Sequence, residues 1–167
     1  RMSITVAPVG NSRILSVGTY RPKRVVPNSE IVDRIDSTDE WIVQRTGIES
    51  RRFAGEDETV ITMAKAACEM ALQRAKLSIE DIDTVILSTI SYPFQAPSAA
   101  TELINELGNP KAAAFDLSAA CAGFCYGVGL ASDLVRAGTS RNVLVIGVEK
   151  LSDYTDPNDR ATAFIFA

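Results

Sequence analysis

From residue 59 onward, apolar residues follow two spacings that alternate along the chain. Helical stretches carry them three and four positions apart, and between these lie short, nearly continuous apolar runs. The pattern predicts helices over Thr59–Lys76, Pro97–Leu107 and Cys121–Ala137, and strands over Asp83–Ser88, Ala112–Leu117 and Asn142–Gly147. Strands that alternate with helices of this length favour a largely parallel sheet covered on both faces. We therefore predict one α/β unit.

The predicted elements before residue 59 are shorter. They are a strand Ser12–Gly18, a short helix capped by Asn28 and reaching Ile35, a helix Asp39–Thr46 capped by Ser37 or Thr38, and a strand Ile48–Phe53. At the other end, Ala161–Ala167 has the composition of a buried strand and has no polar tail. Chain ends are usually polar and exposed, so we expect further protein beyond this segment.

Composition narrows the function classes. The 167 residues have a net charge of −4, which disfavours nucleic-acid binding. There is no apolar run of the roughly 20 residues that a membrane span requires. Three cysteines, an odd number without a signal segment, indicate free thiols and a cytoplasmic location. Histidine is absent, which excludes a Ser-His-Asp triad or a histidine metal ligand within this chain.

Cys121 is the strongest candidate for chemistry. A buried strand ends, small residues form a sharp turn, and Cys121 begins an apolar helix. Free N–H groups and the positive dipole at a helix start stabilise a thiolate, and they can also stabilise an oxyanion. Such a thiol suits covalent acyl transfer. The alternative is a small buried cysteine that only fills space, which is what most free cysteines do.

The other two cysteines are weaker candidates. Cys68 lies on the apolar face of its helix and is predicted to be a core residue. Cys125 lies one turn after Cys121 on the same helix face. With no histidine and no third cysteine nearby, the pair does not predict a metal site.

Three segments together resemble a known family. Asp116-Leu-Ser-Ala-Ala-Cys-Ala-Gly-Phe124 resembles the active-site motif of the β-ketoacyl-acyl-carrier-protein synthase III family. Ser37-Thr-Asp-Glu-Trp-Ile-Val-Gln-Arg-Thr-Gly-Ile48 resembles that family's front signature, and Asp156–Phe166 resembles the segment before its glycine-rich strand. The three occur in the family's order over nearly the whole chain.

The resemblance implies a thiolase-like fold, in which two similar α/β halves with mostly parallel or mixed sheets pack in layers. On this basis residues 1–11 are an N-terminal extension and 12–167 are the N-terminal half-domain. The C-terminal half lies outside this chain. The resemblance also implies a homodimer.

The chemistry implied by the resemblance begins with an acyl-CoA that loads its acyl group onto Cys121. Malonyl-acyl carrier protein then loses CO₂ and attacks the thioester, giving a 3-oxoacyl product. Coenzyme A takes part as a thioester substrate, and no separate cofactor or metal is expected. The His and Asn that assist in this family lie in the second half, so we expect these 167 residues alone to be inactive.

The resemblance also implies a binding site for coenzyme A. Trp41 would stack on the adenine, with Arg160 against its other face, and Arg45 and Ser37 would help hold the nucleotide or its phosphates. A flat indole and a flat guanidinium make a plausible clamp.

Structural alternatives exist for both halves of this clamp. Trp41 also fits a helix-packing anchor beside its neighbouring isoleucines. Arg160 also fits a surface ion pair with Asp156 or Asp159.

An apolar loop, Ser91–Pro97, is the candidate for primer selection. In the family it reaches into the partner subunit and forms part of that subunit's acyl pocket. The residue before the proline is bulky in some relatives that take short primers, whereas here it is Ala96. We expect a roomier pocket for branched or longer acyl groups, unless Phe94 refills the space.

Two alternatives to a fatty-acid priming enzyme are open. A polyketide-priming relative would use the same cysteine. A non-catalytic ketosynthase-like subunit would serve only in assembly, but such subunits typically replace the nucleophile, which this chain retains.

Overall fold

The computed structural model describes residues 10–166. The predicted N-terminal extension, 1–11, therefore lies outside the described residues except for its last two. The helices and strands are β1 (Arg24–Pro27), α1 (Asp39–Thr46), β2 (Ser50–Phe53), α2 (Val60–Ala75), β3 (Thr84–Ser88), α3 (Ala99–Leu107), β4 (Ala113–Leu117), α4 (Gly123–Arg136) and β5 (Val143–Gly147).

The main sheet has three parallel strands in the order β4-β3-β5, as the alternating pattern predicts. Its central strand β3 is buried along its whole length. Val85 and Leu87 join the core that α2 and α3 form on one face. Ile86, which points to the other face, lies beneath Gly127 of α4. Helices thus cover both faces, and the continuous apolar run of β3 results from this double burial.

A second, smaller core lies beside the sheet. Antiparallel strands β1 and β2 pair there, and α1 packs nearby. Its buried apolar residues are Val26, Ile31, Ile35, Ile42 and Phe164. The two cores are formed by different parts of the chain, and α1 belongs to the second.

Local capping signals explain the helix boundaries. The Thr38 side chain accepts from the Trp41 N–H at the start of α1, and Gly47 ends that helix with a φ of 71°. Thr59 and Thr62 form a reciprocal capping box at the start of α2. Helix α3 begins after Ser98, which caps it, rather than at the predicted Pro97.

The predicted strand Ser12–Gly18 is wrong. These residues form no ladder and run along α2, where the Ser16 hydroxyl donates to the Ala71 carbonyl at 2.7 Å. Gly18 approaches so closely that an added Cβ would lie 2.0 Å from the Ala67 carbonyl oxygen. An apolar run becomes a strand only beside a partner strand, and within residues 10–166 this segment has none.

Asn28 does not cap a helix as predicted. It is the first residue of a short 3₁₀ turn, Asn28–Glu30, with a second turn at Val32–Arg34. Its buried side chain instead donates to Asp39 and accepts from Arg51, at 2.6 and 2.7 Å. The amide is used to satisfy a buried arginine, whose pKa is lowered by burial.

The predicted buried strand Ala161–Ala167 is also wrong over the described residues. Turns occupy this segment, and only Phe164 is buried. The Asp159 carboxylate accepts from the Ala161 N–H and the Thr162 hydroxyl, at 2.9 and 2.7 Å. This local side-chain bonding gives the backbone an alternative to a strand.

Two glycines of α4 provide a matched test of the packing. A Cβ at Gly123 would lie 1.7 Å from the Ser88 hydroxyl oxygen, whereas a Cβ at Gly129 would meet nothing within 4 Å. We expect Gly123→Ala to lower the free energy of unfolding by about 1–3 kcal/mol through overpacking. Gly129→Ala should raise it by about 0.5–1 kcal/mol through helix propensity. Urea unfolding measures both, and equal effects would contradict the described contact.

Candidate active site around Cys121

Cys121 lies in a strained turn at the end of a sheet strand. Strand β4 ends at Leu117, and a 3₁₀ turn, Ala120–Ala122, precedes α4. Ala120 has a φ of 44°, a left-handed conformation that residues with a Cβ rarely adopt. Cys121 is exposed. Strain of this kind is concentrated at functional sites, where the surrounding structure holds it in place.

The helix that follows Cys121 starts without a side-chain cap. Regular α-helix begins at Gly123, two residues later than predicted. Ala122 occupies the capping position and has no side chain that could accept a hydrogen bond. The N–H groups of Ala122 and Gly123 donate to the Ala119 and Ala120 carbonyls. It is therefore the positive dipole end of the helix that lies next to the thiol.

Close packing seats this helix start on the carboxyl ends of the strands. Gly123 contacts Ser88, the last residue of β3, without room for a Cβ. A Cβ at Gly147, the last residue of β5, would lie 3.3 Å from Phe124. These close contacts with the strand ends fix the position of the turn that carries Cys121.

The three cysteines lie in different environments. Cys68 is buried as predicted, and burial raises the pKa of its thiol to about 12. Cys125, like Cys121, is exposed. Within the described part of the chain, no three His, Cys, Asp or Glu side chains cluster as a metal site.

Three of the residues assigned to coenzyme A come together. The Arg45 guanidinium carbon lies 4.0 Å from the centre of the Trp41 ring, and that of Arg160 lies 5.1 Å from it. Trp41 also packs edge-on against Phe164, with ring centres 5.0 Å apart. The half-buried indole thus packs against the smaller core and also makes cation–π contacts with two arginines.

The alternative ion pairs of Arg160 do not form within residues 10–166. Its acidic neighbours are used locally instead. Asp159 accepts hydrogen bonds from the turn that follows it, and Asp156 accepts from Asn158. Arg160 is consequently exposed and available beside Trp41.

The remaining two candidates are placed differently. The Ser37 hydroxyl oxygen is shut off from solvent and has no hydrogen-bond partner among residues 10–166, so a contact with a nucleotide would require it to turn outward. Ala96 is exposed in the loop after β3, and the side chains of Tyr92 and Phe94 pack edge-on in the same loop. The roles of both residues stay predictions.

Two carboxylates near the strand ends were not predicted as site residues from the sequence. Asp116 accepts from the N–H groups of Ala99 and Ala100 at the start of α3. Glu149, just after β5, accepts from the segment that follows β3. Their positions directly at the carboxyl ends of predicted parallel strands were the available signal, because such ends meet at one edge of the sheet.

Comparisons with known proteins point to the same family, over different shares of the chain. The family model for 3-oxoacyl-[acyl-carrier-protein] synthase III matches residues 115–167. β-Ketoacyl-[acyl-carrier-protein] synthase III of Kocuria rhizophila is 51% identical over 158 residues, which is 95% of this chain and 44% of that protein. A second relative, from Streptomyces coelicolor, is 55% identical over 93% of this chain and 45% of its own length.

A solved structure shows the same architecture. The priming β-ketosynthase of the R1128 polyketide biosynthetic pathway superposes with a TM-score of 0.91 at 45% identity. The match covers 98% of this chain and 49% of that one. The chain therefore spans about half the length of the relatives it matches.

A parallel α/β sheet with a cysteine in the turn before a close-packed helix is the N-terminal half of a thiolase-like fold. Within that fold, the chain matches β-ketoacyl-[acyl-carrier-protein] synthase III sequences over 93–95% of its own length, and the family model matches its last third.

The different environments of the thiols predict an order of alkylation. At pH 8 a thiol with a pKa of about 12 is ionised only to about one part in ten thousand, and Cys68 is also sterically covered. We expect iodoacetamide to label Cys121 and Cys125 while Cys68 stays unlabelled. Peptide mass spectrometry over time measures the order, and labelling in urea is the control in which all three react. Native labelling of Cys68 as fast as Cys121 would contradict the described core.

Proposed function

We propose that this chain supplies the nucleophile of a 3-oxoacyl-[acyl-carrier-protein] synthase III, an acyltransferase that initiates fatty-acid synthesis. The observation that carries the proposal is the exposed Cys121 in a strained turn before the uncapped start of α4. The comparisons support it, since the named relatives are synthases of this type.

The proposed reaction has two stages. In the first, the Cys121 thiolate attacks the carbonyl of an acyl-CoA, and the coenzyme A thiolate leaves. In the second, malonyl-acyl carrier protein loses CO₂, and the resulting carbanion attacks the thioester and releases Cys121. The positive dipole end of α4 suits the oxyanion that forms in each attack. Neither stage requires a metal or a separate cofactor.

The second half of the protein is the proposed partner of this chain. Phe124, Tyr126 and Leu130 of α4 are exposed, and so is Phe115 of β4. Exposed apolar groups in such number mark a surface that another unit covers. The resemblance assigns the assisting His and Asn to that unit, which is why we propose that this chain alone is inactive. A homodimer of the whole protein is also proposed.

The Trp41 cluster is the proposed nucleotide site. An adenine between Trp41 and Arg160 needs about 3.5 Å on each side, so Arg160 must move outward from its present 5.1 Å. Arg160 is exposed and not held by its acidic neighbours, which permits this movement. Arg45 already lies over the indole and supplies positive charge for the phosphates.

Primer choice is proposed to depend on the loop containing Ala96. A small side chain there leaves room for branched or longer acyl groups. Phe94 is 62% exposed on the same loop and is the residue that could refill the space. Polyketide priming is the second candidate pathway, and the likeness to the R1128 priming ketosynthase favours it.

Two further proposals concern the cellular location of the protein and whether it acts only in assembly. Three free thiols agree with a reducing compartment, and we propose the cytoplasm. No helix within residues 10–166 is long and apolar enough to cross a bilayer. A purely assembling subunit is disfavoured because Cys121 is present and exposed.

The proposed nucleophile is tested in the protein that also contains the second half. Acyl-CoA should add one acyl mass to Cys121 and protect it from alkylation, and Cys121→Ser should lower condensation at least about a thousandfold. Cys125→Ser is the matched control, since that thiol is also exposed but lies within the helix. Condensation that survives Cys121→Ser, or acylation of Cys125 instead, would refute the proposal.

The nucleotide site is tested by fluorescence. Trp41 is the only tryptophan among these 167 residues, so coenzyme A binding to this chain should quench its tryptophan emission. Arg160→Ala should weaken this binding about tenfold, because base–aromatic stacking and cation–π contacts are each worth about 1–3 kcal/mol. Arg141→Ala, an exposed arginine just before β5, is the control. Equal affinities for both variants would place the nucleotide elsewhere.

A further inference from the structure

Asn28 is a buried polar side chain that the proposed reaction does not use. It directly follows β1 and is 1% exposed. Its backbone N–H donates to the Glu49 carbonyl at 3.3 Å, which fixes it beside the antiparallel β1–β2 pair. Burying an amide costs free energy unless its donors and its acceptor are paired. The partners of Asn28 therefore show which parts of the chain it holds together.

The side-chain nitrogen of Asn28 connects the two ends of helix α1. Its Nδ2 donates at 2.6 Å to the carboxylate of Asp39, which is the first residue of the helix. The same atom donates at 2.8 Å to the carbonyl of Ile48, which lies two residues beyond the last helical residue. An amide nitrogen has two N–H donors, so both are used to hold this one helix.

Arg51 fixes the orientation of the Asn28 amide. Its Nη2 donates to the Asn28 Oδ1 at 2.7 Å from the adjacent strand, β2. Arg51 is 2% exposed and forms no ion pair within residues 10–166, and its hydrogen-bond acceptors there are neutral. If the amide turned over, its NH2 would face the guanidinium and its oxygen would face the Asp39 carboxylate. Both contacts are repulsive, so the amide stays in the orientation that holds α1.

Few other contacts determine the direction of α1. Among the eight described residues of this helix Ile42 alone is buried, and a single anchor in the middle of a short helix lets the helix pivot. The bonds from Asn28 to both ends remove that freedom. The helix carries Trp41 and Arg45, whereas Arg160, the second cation at the indole, comes from a distant part of the chain. The gap between Trp41 and Arg160 therefore depends on how α1 is held.

We propose that Asn28 is a positioning residue for nucleotide recognition: by holding both ends of α1, its amide sets the position of the Trp41 face on which the adenine of coenzyme A stacks. This inference rests on the proposed function, because it takes the Trp41 cluster as the nucleotide site. Without the amide, Asp39 and Ile48 lose a donor and Arg51 loses an acceptor, so α1 shifts to satisfy them in other ways. Such a shift displaces the indole, while the thiol on the main sheet stays in place.

The experiment compares two thioesters in the protein that contains both halves. Acetyl-CoA carries the adenine nucleotide, and acetyl-pantetheine carries the same thioester without it. The measured quantity is the ratio of their kcat/KM values for acylation of Cys121, in which any uniform loss of active protein cancels. Asn28→Ala is expected to lower this ratio about tenfold, the factor that corresponds to loss of one stacking contact. A ratio equal to that of the unsubstituted protein would overturn the inference.

The matched control is Asn109→Ala. Asn109 is also a buried asparagine, 7% exposed, and its amide donates to the carbonyls of Ile79 and Ile82 at 2.9 and 3.0 Å. These partners pack in the main core, whereas Trp41 packs against the smaller one. Asn109→Ala should lower the urea midpoint, as Asn28→Ala does, but should change the ratio less than about twofold because the sites are independent. Equal losses of the ratio in both variants would show a merely structural role and refute the inference.

Asp39 gives a second test from the side of the helix, which decides the matter if Asn28→Ala does not fold. Asp39 is exposed, and both Asp39→Ala and Asp39→Asn remove its charge, but only the asparagine keeps an acceptor oxygen for the Asn28 amide. The ratio should be about threefold lower in Asp39→Ala than in Asp39→Asn, since one of the two bonds to α1 is lost. The same ratio in these two variants would contradict the inference.

Failure of the inference and failure of the proposed function give different results. If the unsubstituted protein is acylated equally well by both thioesters, or by neither, the proposed nucleotide site or the proposed nucleophile is wrong and the inference falls with it. If the protein prefers acetyl-CoA, and this preference depends on Arg160 but not on Asn28, the inference alone is wrong.

Discussion

The contact between Gly123 and Ser88 is the constraint on which the rest of the site depends. With no Cβ at Gly123, the start of α4 can approach the end of β3 closely enough for backbone to meet side chain. To reach that position from β4, the chain must turn sharply, and Ala120 adopts a left-handed conformation that costs about 1–2 kcal/mol. The fully buried β3 beneath holds this turn in place.

The elements with local signals were predictable from the sequence. Threonine and serine caps, a terminal glycine and helical spacing are read within a few residues, and α1 and α2 were predicted to within one residue of their ends. Strands need a partner that can be far away in the chain. Ser12–Gly18 and the last seven residues have strand composition, but within the described residues neither pairs with a strand. Composition alone could not distinguish them from β5.

The candidate site also contains residues with local sequence signals and residues that depend on contacts with distant parts of the chain. Cys121 follows from a contiguous pattern of strand, small residues and helix, so it was visible in the sequence. Trp41 and Arg160 were assigned only by resemblance, and the fold brings them within 5.1 Å across more than a hundred residues. Glu149 was missed, because its partners lie about sixty positions earlier and are ordinary polar residues. Its position just after a predicted strand was the one signal available. Long-range hydrogen bonds leave no local pattern to read.

The two cores differ in how freely their residues can move, and each lies near a different end of the proposed substrate. Cys121 stands on the buried parallel sheet, where Gly123, Ser88 and the strand ends leave little freedom. Arg160 lies on a surface turn held by Asp159, at the edge of the smaller core. A thioester exchange needs a fixed thiol, because small displacements of reacting atoms are costly. Release of the nucleotide needs an opening, and a side chain on a turn can provide it without disturbing the sheet. The separation of the cores therefore lets one end of the site stay rigid while the other moves.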